Sequence, residues 1–164
     1  MKNNFFFTAI DAGLFAGFIS IALQMALVSI FMPGKFWDPP RMMAAIVFGK
    51  GALPPSDTTF GVIIVGFIIH YILAILFAII VGFIVSRMAM GPAIGVGIVI
   101  GLALYFINFY VFTGIFPWFA KSRLWVTVFT HIMYGIVVAW SFKSFYGTWT
   151  TAVSVINNGN RQPL

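Results

Sequence analysis

His70 and His131 are the only histidines in 164 residues, and they stand in matching surroundings. His70 opens the run His70-Tyr-Ile-Leu-Ala74-Ile-Leu-Phe-Ala78; His131 opens His131-Ile-Met-Tyr134-Gly135-Ile-Val-Val-Ala139. Both runs are apolar enough to read as membrane spans, where an ionisable side chain is expensive and becomes a functional-site candidate. Two amides join them: Gln24 lies nine residues before Pro33, and Asn108 nine before Pro117. At about 1.5 Å per helical residue the amides lie about 13 Å deep, and the imidazoles roughly 10–15 Å from the same interface. Tyr71, Tyr105 and Tyr134 are candidates for this layer. The expectation is a polar shelf near the centre line of a bundle.

Three chemistries suit such a shelf. Each imidazole could pair with Gln24 or Asn108 and pin one half of the chain onto the other, because buried polar groups need partners. His70 and His131 could be the axial ligands of a haem b, with Phe, Met and Gly around a flat ring and Arg41, Lys121 or Arg123 meeting its propionates. They could also form a proton relay or a small-solute site, since histidine titrates near neutrality. Outside haem no metal site is expected: zinc takes three or four ligands, and no carboxylate lies at this depth. The absence of cysteine excludes disulfides, thiolate metal sites and Cys nucleophiles. Asp11 is a boundary residue if the first span begins at Ala12 and a buried acid if residues 5–7 are embedded; the burial cost favours the boundary. The chain has no catalytic triad, P-loop or dinucleotide fingerprint, so no catalytic residue is assigned. Gly91-Pro-Ala-Ile-Gly95-Val-Gly97 follows no strand and reads as helix packing.

The scaffold that carries these groups can be read from composition. The chain is 62% hydrophobic and 7% charged, against roughly 25% charged residues in soluble domains. Uncharged stretches run 12–34, 58–86, 88–120 and 124–142, each long enough for a bilayer that takes about 20 apolar residues to cross. The expected fold is all-α and polytopic, with spans near 6–32, 58–86, 91–116 and 124–145. They form one domain over residues 1–150, followed by a loose polar tail at 151–164. The amino terminus reads as an uncleaved first span. Between the first two spans, Asp38-Pro39-Pro40 offers a turn and cap. Residues 41–48 suit a short interfacial or re-entrant helix stopped by Gly49 and Gly51. Ser56 or Asp57 is a candidate cap for the second span. The short turn at 87–92 makes the second and third spans antiparallel neighbours.

The chain also repeats itself. At an offset of 84, Pro33 meets Pro117, Gly13 meets Gly97, Gly17 meets Gly101, Gln24 meets Asn108 and Ser29 meets Thr113. This reads as a doubled two-helix unit, 6–86 and 91–145, its copies parallel about an axis along the membrane normal. Gly13, Gly17 and Ser20, and likewise Gly97 and Gly101, form small-residue seams; Ala74/Ala78 and Gly135/Ala139 are their matching surfaces. Basic residues stand singly at span ends. Lys2, Arg87, Lys143 and Arg161 on one side balance Lys35, Arg41, Lys50, Lys121 and Arg123 on the other, so charge alone sets no orientation. The termini are assigned to the cytoplasm. Arg41, Lys121 and Arg123 read as interfacial anchors for anionic lipid rather than a nucleic-acid patch. Trp37, Trp118 and Trp125 mark one interface; Trp140, Tyr146 and Trp149 mark the other.

The run from His70, the short basic turn, the glycine-rich span, Phe116-Pro117-Trp118, and then His131 before Tyr134 and Trp140 resemble the YagU-like inner-membrane proteins of bacteria. They also resemble small proteobacterial proteins called sodium:proline symporters. The resemblance covers roughly residues 60–142. It implies a bacterial inner-membrane protein, with an acid-resistance connection for the YagU-like group. The expected role is non-enzymatic: a structural or accessory membrane component that packs through its glycine seams against copies of itself or a larger complex. The alternatives are a haem-bearing or proton-handling subunit, and an oligomeric small-solute transporter or channel.

Overall fold

The computed structural model describes the backbone of residues 2–57 and 59–159 and the side chains of 4–57 and 59–147. Everything regular in it is helical: α1 (Lys2–Phe31), α2 (Asp38–Phe48), α3 (Phe60–Val85), α4 (Met90–Phe106) and α5 (Trp125–Gly159). Four stretches are long and apolar enough to cross a membrane: Asn4–Phe31, Phe60–Val85, Met90–Gly114 and Trp125–Gly147. They are apolar on every side, the pattern of a helix whose outer face meets lipid. The architecture is that of a multi-pass membrane protein.

Local sequence sets the helix ends. Pro33 and Gly34 close α1, with Gly34 at φ 85°, a backbone conformation that glycine adopts without strain. α2 carries Pro39 and Pro40 in its first turn, where a missing N–H goes unnoticed. The expected cap at Asp38 is replaced by an uncapped start after Trp37, with Asp38 itself in the first turn. Gly49, at φ 65°, ends the helix as expected. The cap of α3 is Thr59, whose Oγ1 accepts from the Val62 N–H at 3.4 Å. Ser56 and Asp57 stand too far upstream to cap a helix that begins at Phe60. α5 continues as helix through residues 151–159, where a loose tail was expected. The Trp149 side chain and residues 160–164 lie outside the described residues.

The helices pair through their small residues. Gly13 meets the Ile75 Cα, the Ala78 Cβ and the Ala74 carbonyl; Gly17 meets the Ala74 Cβ and the Tyr71 ring. Gly97 lies against the Gly135 carbonyl and the Ala139 Cβ, and Gly101 against the His131 carbonyl and the Ile132 Cα. These seams join α1 to α3 and α4 to α5. Gly91 and Gly95, expected to pack, face open space because they lie on the opposite side of α4 from Gly97. α5 stands at the centre and touches α1, α3 and α4. α3 and α4, expected to be neighbours, run antiparallel but scarcely touch. Their short turn fixes direction, while the seams carry each helix to a different partner.

The main core cluster fills one half of the bundle, with two smaller clusters around Ala44 and Phe109 toward the loops. Ala9, Ala12, Ala16, Ala78, Val81, Val85, Ala93, Val138, Ala139 and Phe142 are fully buried at the end holding the termini and the Arg87 turn. Phe142 wedges against Gly82 and stacks on Tyr146 with ring centroids 5.4 Å apart. Lys143 Nζ donates to the Ser86 carbonyl at 3.1 Å and ties α5 to the end of α3. Asp11 is exposed on α1, about one turn below Phe15, which meets Trp140 and Phe145. It lies seven residues inside the apolar stretch Asn4–Phe31 and not at its start. Toward the loops the helices diverge, and α2 fills part of the gap.

Candidate functional site

The divergence leaves a cavity of about 590 Å³ in the loop-side half. Its back wall is α1 and α5, its flanks are α3 and α4, and α2 with the segment after α4 forms its roof. Ser20, Gln24, His70, Asn108, Thr127, Thr130, His131 and Tyr134 all line it. Of the four polar residues expected to converge, all four reach this one space. The volume falls within the range of roughly 300–1,000 Å³ usual for small-molecule sites.

The hydrogen bonds divide the work differently from expectation. His70 Nε2–H donates to the Gly17 carbonyl at 2.9 Å, binding α3 to α1. His131 Nδ1–H donates to the Thr127 carbonyl one turn earlier at 2.8 Å. Its Nε2 then accepts from Asn108 Nδ2–H at 3.3 Å, binding α5 to α4. Each imidazole therefore acts within its own helix pair. The expected pairing of His131 with Asn108 is present. His70 bonds a backbone carbonyl and leaves Gln24 free for another partner.

The pins between the two helix pairs are other residues. Gln24 Nε2–H donates to Thr127 Oγ1 at 3.4 Å, and Thr130 Oγ1–H donates to Gln24 Oε1, joining α1 to α5. Tyr134 O–H donates to the Ala74 carbonyl at 2.6 Å and joins α5 to α3. Thr127 and Thr130 were missed in the sequence because threonine is common in apolar helices. Their three-residue spacing, one turn on a face shared with His131 and Tyr134, is the signal that was available. Tyr105 packs its buried ring edge-on to His131 at 6.1 Å and stiffens the wall from behind. Tyr71 faces the α1 seam instead of the shelf.

Asn108 owes its position to a break in α4. The α-helix ends at Phe106, a π-helical turn covers Ile107–Val111, and a 3₁₀ turn covers Phe112–Gly114. The sequence predicted an unbroken span to residue 116. A π turn accommodates an extra residue and rotates the helix beyond it, a distortion that recurs at functional sites. Arg123 holds the break. Its Nε–H donates to the Phe109 carbonyl at 2.7 Å and its Nη2–H to Thr113 Oγ1 at 3.3 Å. Its guanidinium also lies 4.2 Å over the Tyr110 ring. Irregular backbone at membrane depth persists where it is covered by protein or lines a cavity; here Asn108, Phe109 and Phe112 line the cavity, while Ile107, Tyr110 and Val111 are exposed.

The three cations expected at the interface part company. Lys121 is exposed and lines the cavity mouth with Lys35 and Asp38. Arg123 is the clamp just described. Arg41 is buried, 6% exposed, which corrects its assignment as a lipid-facing anchor. Its Nε–H donates to the Ala52 carbonyl at 2.8 Å, and its Nη2–H to the Ser56 carbonyl at 2.7 Å and to Ser56 Oγ at 3.1 Å. These bonds fold the segment after α2 back onto it. Pro40 lies so close to Gly66 that a Cβ on Gly66 would run into the Pro40 carbonyl, and α2 is thereby pressed on α3. Of the expected interface tryptophans, Trp37, Trp125 and Trp140 are exposed, while Trp118 turns inward and lines the cavity.

Axial ligation of a haem by both histidines would require His70 to release Gly17 and His131 to release Asn108, if each bound through Nε2. The arrangement as it stands offers hydrogen-bond chemistry. His70 Nδ1 carries no hydrogen bond among the described residues and is an acceptor. Asn108 keeps its Oδ1 and its second N–H, and Gln24 its second N–H. Around them, Leu73, Phe77, Leu104, Phe109, Phe112 and Phe116 provide apolar walls. Among the described residues there is no cluster of three or more potential metal ligands. No protein family, curated protein or solved structure matches the chain.

Proposed function

We propose that this chain is a multi-pass protein of the bacterial inner membrane that binds a small, largely apolar molecule in the cavity between its two helix pairs, as the binding unit of a small-solute carrier. The observation that supports this most is the break in α4, which brings Asn108 to His131 at the floor of a 590 Å³ aromatic-walled space. A chain built only to pack would be expected to keep α4 regular and fill that space. An accessory role resting on the glycine seams has less support: Gly13, Gly17, Gly97 and Gly101 are all used between helices of the same chain. The bilayer is then the main partner of its outer surface. The matched contacts of the two seams favour descent of both helix pairs from one doubled unit, parallel in the membrane. The packing of Pro40 on Gly66 favours a re-entrant α2.

The test is thermal unfolding of the detergent-purified protein with a neutral phenol, 4-ethylphenol, as probe. The expected result is a rise in Tm that saturates with concentration and disappears in Leu73→Trp, which fills the cavity from α3. If neither this probe nor an aromatic or aliphatic acid raises Tm, or if Leu73→Trp leaves the rise intact, the binding reading is wrong.

A further inference from the structure

The cavity has two chemically different ends. At its floor are the free amide and imidazole groups of Asn108, Gln24 and His70. At its mouth are Lys35, Lys121 and Asp38. The mouth is electropositive beyond these three, because the loops that surround it hold Lys35, Arg41, Lys50, Lys121 and Arg123 against Asp38 and Asp57 alone. Such a rim raises the local concentration of anions. Asp38 lies in the first turn of α2, where the helix N-terminus offsets a carboxylate.

A second, independent feature points the same way. Trp118 Nε1 is buried and has no hydrogen-bond partner among the described residues. Trp118 and Lys121 both belong to the 3₁₀ helix Pro117–Ser122, in which residues three apart share one edge, and both line the cavity. An N–H donor and an ammonium on one edge suit an acceptor that is also an anion. A carboxylate has both properties.

The walls between the ends carry Phe109, Phe112, Phe116 and Phe119 from the break in α4 and the segment after it, together with Val28, Met42, Met43 and Ile46 from α1 and α2. This bank of rings suits a flat aromatic body, through offset-stacked and edge-to-face contacts. The floor lies about 13 Å below the level of Pro33, from nine helical residues at about 1.5 Å each. Lysine stems are long and flexible, so when Lys35 and Lys121 turn inward one ring and a short spacer can link the two ends.

We infer that the cavity selects an aromatic carboxylic acid carrying a hydroxyl at its far end. The carboxylate sits between Lys121 and Lys35 and accepts from the Trp118 indole once the ring turns its covered N–H to the cavity, the aromatic body lies along the phenylalanines, and the hydroxyl bonds Asn108 and His70. This rests on the binding reading above and narrows it to one ligand class.

The experiment is isothermal titration of the full chain in nanodiscs with 4-hydroxycinnamate, its methyl ester, cinnamate and decanoate. The expected order is 4-hydroxycinnamate tightest, with ester and cinnamate each weaker. Lys35→Gln combined with Lys121→Gln should weaken the acid about tenfold, the scale of a hydrogen bond to a charged group, and leave the ester unchanged. Trp118→Phe should weaken the acid about threefold, the scale of one neutral hydrogen bond. Asn108→Leu should erase the preference for 4-hydroxycinnamate over cinnamate. Melting curves of each variant confirm that it folds. If the ester binds as well as the acid, or decanoate as well as the aromatic acid, this inference falls while the cavity remains a binding site. If no probe binds, both readings fall.

Discussion

Substituting alanine at two glycines of α4, two positions apart, should move stability in opposite directions. A Cβ on Gly97 would overlap the Gly135 carbonyl and lie 2.9 Å from the Ala139 Cβ and 3.0 Å from the Gly135 carbonyl carbon. Ordinary carbon contacts are about 3.5–4.0 Å, so α4 and α5 must separate by about 1 Å. The obstacle is mostly backbone, which cannot rotate aside as a side chain does. Such over-packing typically costs about 1–3 kcal/mol. Alanine in a helix interior returns about 0.5–1 kcal/mol relative to glycine. Gly97→Ala should therefore lose about 1–2 kcal/mol. A Cβ on Gly95 meets nothing within 4 Å, so only the helical gain applies and Gly95→Ala should gain up to about 1 kcal/mol. Both variants add one methyl group to the same helix, so detergent and hydropathy effects cancel between them. The assay is reversible unfolding by steric trapping or heat in one detergent. Changes of the same sign and size would refute the seam as described, because the geometry distinguishes the two sites and propensity does not.

Three further outcomes test other parts of the fold. Arg41→Lys should lower stability by about 2–3 kcal/mol, the scale of a broken hydrogen bond to a charged group, and open the segment at 49–57 to protease. A lysine that restored protection would show that charge, rather than the forked geometry joining Ala52 and Ser56, holds this loop. Tyr134→Phe removes one hydrogen bond to a carbonyl that keeps its helical environment. Membrane hydrogen bonds average about 0.6 kcal/mol, and a loss above about 2 kcal/mol measured by steric trapping would mean Tyr134 does more than join α5 to α3. Because the chain has no cysteine, a single Lys50→Cys should react with an impermeant thiol reagent applied to whole cells, and Arg87→Cys only after lysis. The reverse pattern would overturn the assignment of the termini to the cytoplasm.

The spans and the seams were legible in the sequence because both are properties of one helix at a time. Hydropathy marks a span without reference to its neighbours, and Gly13 and Gly17 sit four apart whatever they touch. The break in α4 was not legible. Nothing in Ile107-Asn-Phe-Tyr-Val111 forbids an α-helix. The turn is held from outside, by Arg123 on the Phe109 carbonyl and by Asn108 on His131. The burial of Arg41 was hidden for a related reason: an arginine beside two prolines reads as surface, and its partners, Ala52 and Ser56, become partners only when the chain folds back. The histidines were found for the right physical reason; His131 has the amide partner expected of it, and His70 bonds a backbone carbonyl instead of Gln24. Depth follows from residue count, but the partner of a side chain depends on helix rotation, which side-chain packing decides.

The two ends of the offset-84 pattern explain how a cavity arises from matched halves. Gly13 and Gly17 hold α3 as Gly97 and Gly101 hold α5, so the lower bundle is evenly packed. Above it, the amides diverge in use. Gln24 sits on an unbroken helix and is spent on Thr127 and Thr130, which fixes α1 to α5 as a rigid back wall. Asn108 sits where α4 breaks, and it bonds His131 with one N–H while another remains. Glutamine has one more methylene than asparagine, so from a regular helix it can reach a neighbour. The shorter Asn108 reaches His131 from a π-helical turn. The difference of one methylene separates the amide that braces α1 against α5 from the amide that sits on the broken helix. A test lies in exchanging them: Asn108→Gln should bring the amide past His131 and weaken binding of 4-hydroxycinnamate without a comparable loss of Tm, whereas Gln24→Asn should break the α1–α5 link and lower Tm first. If both exchanges act on Tm alone, the floor is only a packing layer, and the distinction drawn between the amides is wrong.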